Sequence, residues 1–494
     1  MTATTSGKTR ISPAAVILML CLLLPFWAFS QAEDQAAIGK IETFVQQQMA
    51  RGKIPGLAVV IVKGDRTVYF KGFGFADLDK RKPITPNTLF ELGSCSKAFT
   101  GLAILQLEDK GLLNLSDPVD KYIPWLKMKY RGSEVPVTIA HFLYQTSGVP
   151  TETIGNIPVS GGDNALEDTV RTLVGIRLAH APGERFTYAT TNYDVLGLVI
   201  QNVSGESYEA YVKQNILIPL QLDHTYVDKK AAEAAGLATG YKLCFGKPAV
   251  YDAPEYRGNT PAGYVTTDAQ DMARWLKIQM GTIEATGMGQ PLIQKSHVPS
   301  PDLSDSNYAV GWFNFQRYGL ICHGGTNPNF SSFVGFGTEK LGVAVLANAI
   351  SDLTPAVGRS IFFILRDMAP KPPRGDSNLV YDTMATKAIL VLSPLILLAL
   401  ILLIITLIKI VRQKRRFSAK GFKKALGFIA ASLLLAILVY LLTILPSLIG
   451  FAIPLTAALV WTPFTFSYAV LAIFLTGLLY YLLYLLLLFF PKKK

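Results

Sequence analysis

The chain is poor in the residues that build metal centres and disulfide frameworks: five histidines and four cysteines in 494 residues. The histidines do not recur at ligand spacings, so metal catalysis has no support and no cofactor is implied. Cys21 falls in an N-terminal apolar run that reads as removable, and it lacks the small preceding residues of a lipoprotein signal. The remaining three thiols, Cys95, Cys244 and Cys322, are an odd number, so no disulfide framework is expected, and Cys244 and Cys322 could pair only if the fold brings them together. Acidic residues are missing altogether from 1–10 and from 388–494, which together hold 13 of the 47 lysines and arginines. The other 34 basic residues face all 35 acidic ones, so the net charge of +12 belongs to the two ends. It is a membrane-topology pattern, so a nucleic-acid reading loses its main support and no nucleic-acid partner is expected. Internal repeats and low-complexity stretches are absent as well.

Long apolar runs are present at both ends. Residues 1–32 have a basic start, an apolar stretch from Ala14 to Phe29 and small residues at Ala28, Ser30 and Ala32, the pattern of a secretory signal peptide. Three C-terminal runs, 388–408, 425–445 and 467–490, are expected to span a bilayer. The first has 21 residues, roughly 31 Å as a helix against a hydrocarbon core of about 30 Å. Eight basic residues in 409–424 and the terminal Lys492, Lys493 and Lys494 place those two segments in the cytoplasm. Three spans then leave everything before 388 outside, the side a signal peptide also demands. The expected layout is a bacterial inner-membrane protein. Its parts are a 33–368 extracytoplasmic domain, a Pro- and charge-rich 369–387 linker, and a membrane domain that offers an anchor, a homodimer interface or a binding surface for a lipid-like substrate.

In the exported part, Leu57–Val62 and Thr67–Phe75 flank a Lys-Gly-Asp turn and predict a β-hairpin. A helix is expected to open at Ser94 and stop at Gly111. The segment 112–290 is mostly helical pattern broken by Pro and Gly. Strands return at Val310–Phe315, Leu320–Cys322, Ser331–Gly337 and Leu341–Asn348, followed by a helix over 352–368. Strands from both termini with helices between them predict an α/β fold: one antiparallel sheet covered by helices, with a helical lobe inserted.

Three sequence elements carry chemistry. Glu91-Leu-Gly-Ser94-Cys-Ser-Lys97 sets a hydroxyl and an amine at i and i+3, side by side on one helix face. A serine at a helix start has backbone amides beside it to stabilise an oxyanion, and a lysine becomes a base if burial lowers its pKa. Alone this motif is weak, since a chain this long holds ~1–2 such matches by chance, and Ser94 could merely cap a helix. The second element is Pro182-Gly-Glu-Arg-Phe-Thr-Tyr188-Ala-Thr190-Thr-Asn192-Tyr193, where a tyrosine hydroxyl can relay a proton, although a lone Tyr188 is more often a packed aromatic. The third is His323-Gly-Gly325-Thr326-Asn327-Pro-Asn329, whose glycines admit a substrate backbone and whose Thr326 amide, with that of Ser94, can form an oxyanion hole.

In this order and spacing the three resemble the serine β-lactamase and penicillin-binding-protein superfamily, over about residues 36–366. His141-Phe-Leu-Tyr-Gln-Thr-Ser-Gly148 and Pro261-Ala-Gly-Tyr264 support the resemblance. It implies a class C-like fold with the site between sheet and helical lobe, and Ser94, Lys97 and Tyr188 as catalytic residues. Two departures stand out: Thr190 occupies a position usually Asn, and His323 one usually Lys, the residue suited to a substrate carboxylate. Antibiotic hydrolysis and cell-wall carboxypeptidase action are therefore less expected.

Within the superfamily, GSCSKAFTG, FTYATTNYDVLG, GYKLCFGKP and HGGTNPNFSS, followed by three spans, are similar to the peptidases that remove an N-acyl-D-asparagine cap in colibactin-, zwittermicin- and xenocoumacin-type pathways. The resemblance implies that Glu91, Thr190 and Asn327 contact the asparagine unit. Asn259 falls where a relative's pocket histidine stands, and His323 and Gly325 line the same pocket. A carboxamide offers two donors and one acceptor, which a carboxylate and an amide can match. The expected substrate is an acylated peptide-type small molecule, and the expected partner is the bilayer. The alternatives are a cell-wall D-amino peptidase, an esterase or weak β-lactamase, or a non-turnover β-lactam sensor. The sensor reading is weakened because only a 16-residue loop and a lysine tail would lie inside.

Overall fold

The computed structural model describes residues 35–370 except 304, then 375–450 and 453–493. The expected signal peptide lies outside the described residues. A helix over 35–52 (α1) leads into the predicted hairpin, β1 Gly56–Lys63 and β2 Arg66–Asp77, followed by the short β3 Lys82–Pro83 and β4 Phe90–Glu91. A 3-10 turn at Gly93–Ser96 opens α2 Lys97–Asp109. The helical lobe includes α3 Thr191–Ser204. A small hairpin, β5 Tyr241–Cys244 and β6 Lys247–Val250, precedes β7 Thr266–Thr267 and α4 Ala269–Gln279. The late strands are β8 Phe313–Phe315, β9 Leu320–Asn327, β10 Phe330–Gly337 and β11 Leu341–Ala347, and α5 Leu353–Leu365 follows.

The main sheet has the order β8-β9-β10-β11-β1-β2-β3, so β1 pairs antiparallel with β11 as well as with β2. Strands from both termini do meet in one sheet. The two central strands are apolar on both faces because both faces are covered. Ala58, Val60 and Val62 of β1 enter the core shared with α2, α3 and α4, while Leu57, Val59 and Ile61 face α1 and α5. Two strand expectations shift: β8 starts at Phe313 rather than Val310, and β9 runs on to Asn327 rather than stopping at Cys322. Gly311 explains the first. It adopts φ +77°, and a Cβ there would press on the Ala98 amide of α2, so Val310–Gly311 packs against that helix instead of extending the sheet.

Among the described residues, three helices are long and apolar enough to cross a membrane: α6 Ser377–Val411, α7 Phe422–Leu448 and α9 Phe464–Phe489, with the short α8 Leu455–Trp461 between the last two. α6 begins eleven residues before the expected span, so the 369–387 linker is shorter than the sequence implied. The polar first turns of α6 are held by the domain before them: Asp376 caps the helix through the Asn378 amide and accepts from Ser351, and Ser377 donates to Asp352. The β5–β6 hairpin docks on the same bundle. Asp382 of α6 accepts from the Gly246 amide at 2.7 Å and from the Thr465 hydroxyl. Lys242 donates to the Leu459 and Val460 carbonyls at 3.1 and 2.7 Å, with its ammonium 4.1 Å from the centre of the Tyr251 ring.

Candidate active site

The Ser94 turn is fixed by two glycines where backbones cross. Gly93 adopts φ +52°, and a Cβ there would overlap the Thr326 amide nitrogen; a Cβ on Gly325 would overlap the Leu92 carbonyl oxygen. Larger residues at either position would push β9 away from the Ser94 turn. The crossing is clamped by the Ser332 hydroxyl, which donates to the Leu92 carbonyl at 2.6 Å, and by the Leu92 amide, which donates to Val265 at 2.8 Å. The result brings the start of α2 against the Gly325-Thr326 stretch of β9, where β8 no longer pairs with it.

Lys97 is fully buried, and its Nζ lies 3.2 Å from Ser94 Oγ, 3.2 Å from Thr190 Oγ1 and 2.7 Å from the Ala262 carbonyl. Burial pushes its pKa down, and the nearby Asp194 carboxyl pulls part of the way back. Asp194 is buried on the first turn of α3, with its own pKa pushed up by burial, and both its oxygens accept from Asn259 Nδ2 at 2.9 and 2.8 Å. The Tyr188 hydroxyl is buried without a hydrogen bond of ordinary geometry, and the Lys97 ammonium lies 5.2 Å from the centre of its ring. Burial holds the phenol well above its usual pKa, while Ser94 beside it favours the ionised form. Support comes from the other quoted motif: Gln145 Oε1 accepts from the Ala189 amide and from Asn192 Nδ2, fixing the segment after Tyr188.

Glu91 and Asn327 meet directly. Asn327 Nδ2 donates to Glu91 Oε2 at 2.6 Å and to the Gly263 carbonyl at 2.9 Å. Both residues are buried, and burial pushes the Glu91 carboxyl up to about 7. His323 packs among Tyr188, Tyr308 and Phe313, and its Nδ1 lies 2.6 Å from the Gly324 carbonyl. Burial, with Lys97 nearby, pushes the imidazole down to about 3, so it carries no charge at neutral pH.

The structure thus gathers Ser94, Lys97, Tyr188 and Thr190 around one ammonium, with His323 against the Tyr188 ring, and Glu91 with Asn327 at the adjoining strand ends. Two of the expected site residues make contacts that the resemblance did not imply: Thr190 lies against Lys97, and Asn259 gives its amide to Asp194. The sequence reading missed Asp194, the Ala262 carbonyl and Tyr308. Asp194 had a signal, as a lone acid in the apolar helix Thr-Asn-Tyr-Asp-Val-Leu-Gly-Leu-Val-Ile. Cys244 and Cys322 are free thiols, and Cys95 is buried with its Sγ 3.2 Å from the His323 carbonyl.

A sheet built from both termini, a helical lobe and a Ser-x-x-Lys turn facing a β-strand define a β-lactamase-like fold. The family model Beta-lactamase matches residues 41–359, and the chain belongs to that family. It is 38 % identical over 322 residues to Protein flp of Staphylococcus aureus strain MW2, covering 64 % of each protein. It therefore spans somewhat under two thirds of that relative's length. It is 30 % identical over 327 residues to a Beta-lactamase of Escherichia coli K12, covering 65 % of this chain and 78 % of that one. Among solved structures, the octameric penicillin-binding protein homologue from Pyrococcus abyssi superposes with a TM-score of 0.60 at 30 % identity, over 71 % of this chain and 81 % of the other.

Proposed function

We infer that this β-lactamase-family hydrolase is a membrane-anchored peptidase that cleaves the amide after an N-acyl-D-asparagine cap. Ser94 is the nucleophile. The neutral Lys97 amine takes its proton as Oγ bonds to the D-Asn carbonyl carbon, and the oxyanion rests on the Ser94 and Thr326 amides. Tyr188 and Lys97 return the proton to the leaving amine as the C–N bond breaks. Water then attacks the ester, its proton passing back through Lys97 to Ser94, and acyl-D-Asn leaves as the free acid.

The observation that carries this reading is the buried Glu91–Asn327 pair, 2.6 Å apart. Three residues from Ser94, it spends both Asn327 amide hydrogens on Glu91 and the Gly263 carbonyl and leaves Glu91 Oε1 and Asn327 Oδ1 as acceptors for the two N–H groups of a carboxamide. A buried polar pair rejects apolar side chains because its own groups would be left unpaired. The neutral His323 points the same way, since it offers no cation to the carboxylate of a cell-wall peptide or antibiotic.

The bundle supports an acylated substrate. Thr151 donates to the Tyr188 carbonyl at 2.7 Å, and four residues on Gly155 packs against Ile453 and Pro454, at the N-terminus of α8. One 3-10 turn therefore joins the Tyr188 wall to the segment between the last two long apolar helices, and an acyl tail can leave the site toward the bilayer.

The test is to incubate membranes holding the full chain with N-myristoyl-D-asparaginyl amides, their L-Asn and D-Gln analogues and a chromogenic β-lactam, with Ser94→Ala as control. Release of acyl-D-Asn alone is expected. Equal cleavage of the L-Asn analogue would overturn the reading, β-lactam turnover alone would place the chain with its Escherichia coli relative, and a lasting acyl adduct would make it a sensor.

A further inference from the structure

His224, Asp268 and Asp271 lie outside the active site and bring one ligand-type atom each to within 4.8 Å of the others. Asp268 precedes α4 and spends Oδ1 on that helix, accepting from the Asp271 amide at 2.9 Å. Its side chain is 1 % exposed, and Oδ2 accepts no hydrogen bond. His224 Nδ1 is 3.0 Å from that oxygen, yet it too has no hydrogen bond, because the ring nitrogen and the carboxylate face each other without the direction an N–H needs. Asp271 is held by its Oδ2, which accepts from the His224 amide at 2.8 Å and the Thr225 hydroxyl at 2.7 Å. Among the described residues no lysine or arginine neutralises the two carboxyls, and Asp223 adds a further negative charge beside Asp271.

Two ligand-type atoms 3.0 Å apart at a buried carboxylate, neither of them in a hydrogen bond, suit a shared cation. Around a tetrahedral zinc with bonds of about 2.0–2.2 Å, neighbouring ligand atoms stand about 3.3 Å apart. We propose that His224 Nδ1, Asp268 Oδ2 and Asp271 bind a divalent transition ion of the zinc class, with water completing the shell. One imidazole and two carboxylates match zinc better than calcium, which takes six to eight oxygens. The half-exposed His224 ring leaves a path for entry.

The ion would be structural. Thr225 shares a 2.8 Å hydrogen bond with Thr267 of β7, and β7 pairs through Thr266 with Glu91 of β4. A metal here fastens the 223–227 loop and the α4 N-terminus to the short ladder that carries Glu91, without touching the reacting atoms.

The test uses the full chain in detergent, purified without a histidine tag, stripped with chelator and offered zinc alone. One zinc per chain should survive desalting, the thermal midpoint should rise with zinc and fall back with chelator, and X-ray absorption should report nitrogen and oxygen ligands without sulfur. His224→Ala removes a half-exposed ring, and Asp268→Asn keeps the acceptor that caps α4, so each should fold and each should lose both retention and the shift. Failure of the wild-type chain to retain zinc, or equal retention by His224→Ala, would reduce the cluster to a capping network and overturn the proposal.

Discussion

Asn327 Nδ2 donates to Glu91 Oε2 at 2.6 Å, and the two side chains join β9 to β4 beside the Ser94 turn. Burial raises the Glu91 carboxyl from its ordinary 4.5 to about 7, so between those values the folded chain holds a proton that the unfolded chain has released. Its contribution to stability is therefore complete below about pH 4.5 and is lost as pH rises through about 7, a change of about 3 kcal/mol at most. Glu91→Gln keeps the acceptor for Asn327 and removes the titration. Thermal midpoints of variant and wild type from pH 4 to 8 should diverge in favour of the variant with rising pH. Parallel profiles would mean that the folded carboxyl is already ionised.

In the proposed mechanism Lys97 acts as a base only when neutral, and the Asp194 carboxyl opposes the downward push of burial on it. Asp194→Asn removes that opposition, so the acidic limb of the kcat/KM profile should move to lower pH, while Lys97→Arg, charged at every accessible pH, should cost at least ~10² in kcat. An unmoved limb in Asp194→Asn would mean that a group other than Lys97 sets it.

How far the sequence carried depends on what each feature obeys. The β1–β2 hairpin, the return of strands near the end and the three apolar helices follow from periodicity and run length, and these were legible. So was the Ser94–Lys97 spacing, since i and i+3 fall on one face whatever surrounds the helix. The Glu91–Asn327 contact was not, because 236 residues separate the partners and only the crossing of Gly93 and Gly325 brings them together. The contacts of Asn259 with Asp194 and of Thr190 with Lys97 were not legible for the same reason, since they depend on α3 packing on the Ala262 segment. The late start of β8 follows from Gly311 meeting α2, a contact that no local pattern encodes.

In the proposed mechanism Gly325 and Gly93 bear on the oxyanion hole more than on the fold. A methyl at Gly325 meets the Leu92 carbonyl, and the softest response is to shift β9, which carries Thr326, away from Ser94. Gly325→Ala is expected to keep the secondary structure, to lower kcat by about 10²–10³, as loss of one oxyanion donor does, and to leave KM nearly unchanged. Gly93→Ala adds left-handed strain of about 1–2 kcal/mol to the same displacement, so it should also lower the thermal midpoint. A variant that altered KM alone would show that the crossing shapes substrate binding instead of the reacting geometry.

Lys242 ties the β5–β6 hairpin to the last turn of α8, donating to two carbonyls that a helix end leaves unpaired. Replacing it with Met keeps an unbranched apolar stem but strips both carbonyls of their donor and removes the ammonium from over the Tyr251 ring, a loss of about 1–3 kcal/mol at that contact. The Ser94 turn shares no hydrogen bond with Lys242, so cleavage of an N-acetyl-D-asparaginyl amide should be unaffected. If the acyl tail runs from the Tyr188 wall along α8 into the bilayer, the myristoyl substrate needs that junction. Lys242→Met should then lower its kcat/KM selectively, in liposomes as in membranes. Equal losses on both chain lengths would place the effect in the catalytic domain, and no loss on either would mean that the tail follows another route.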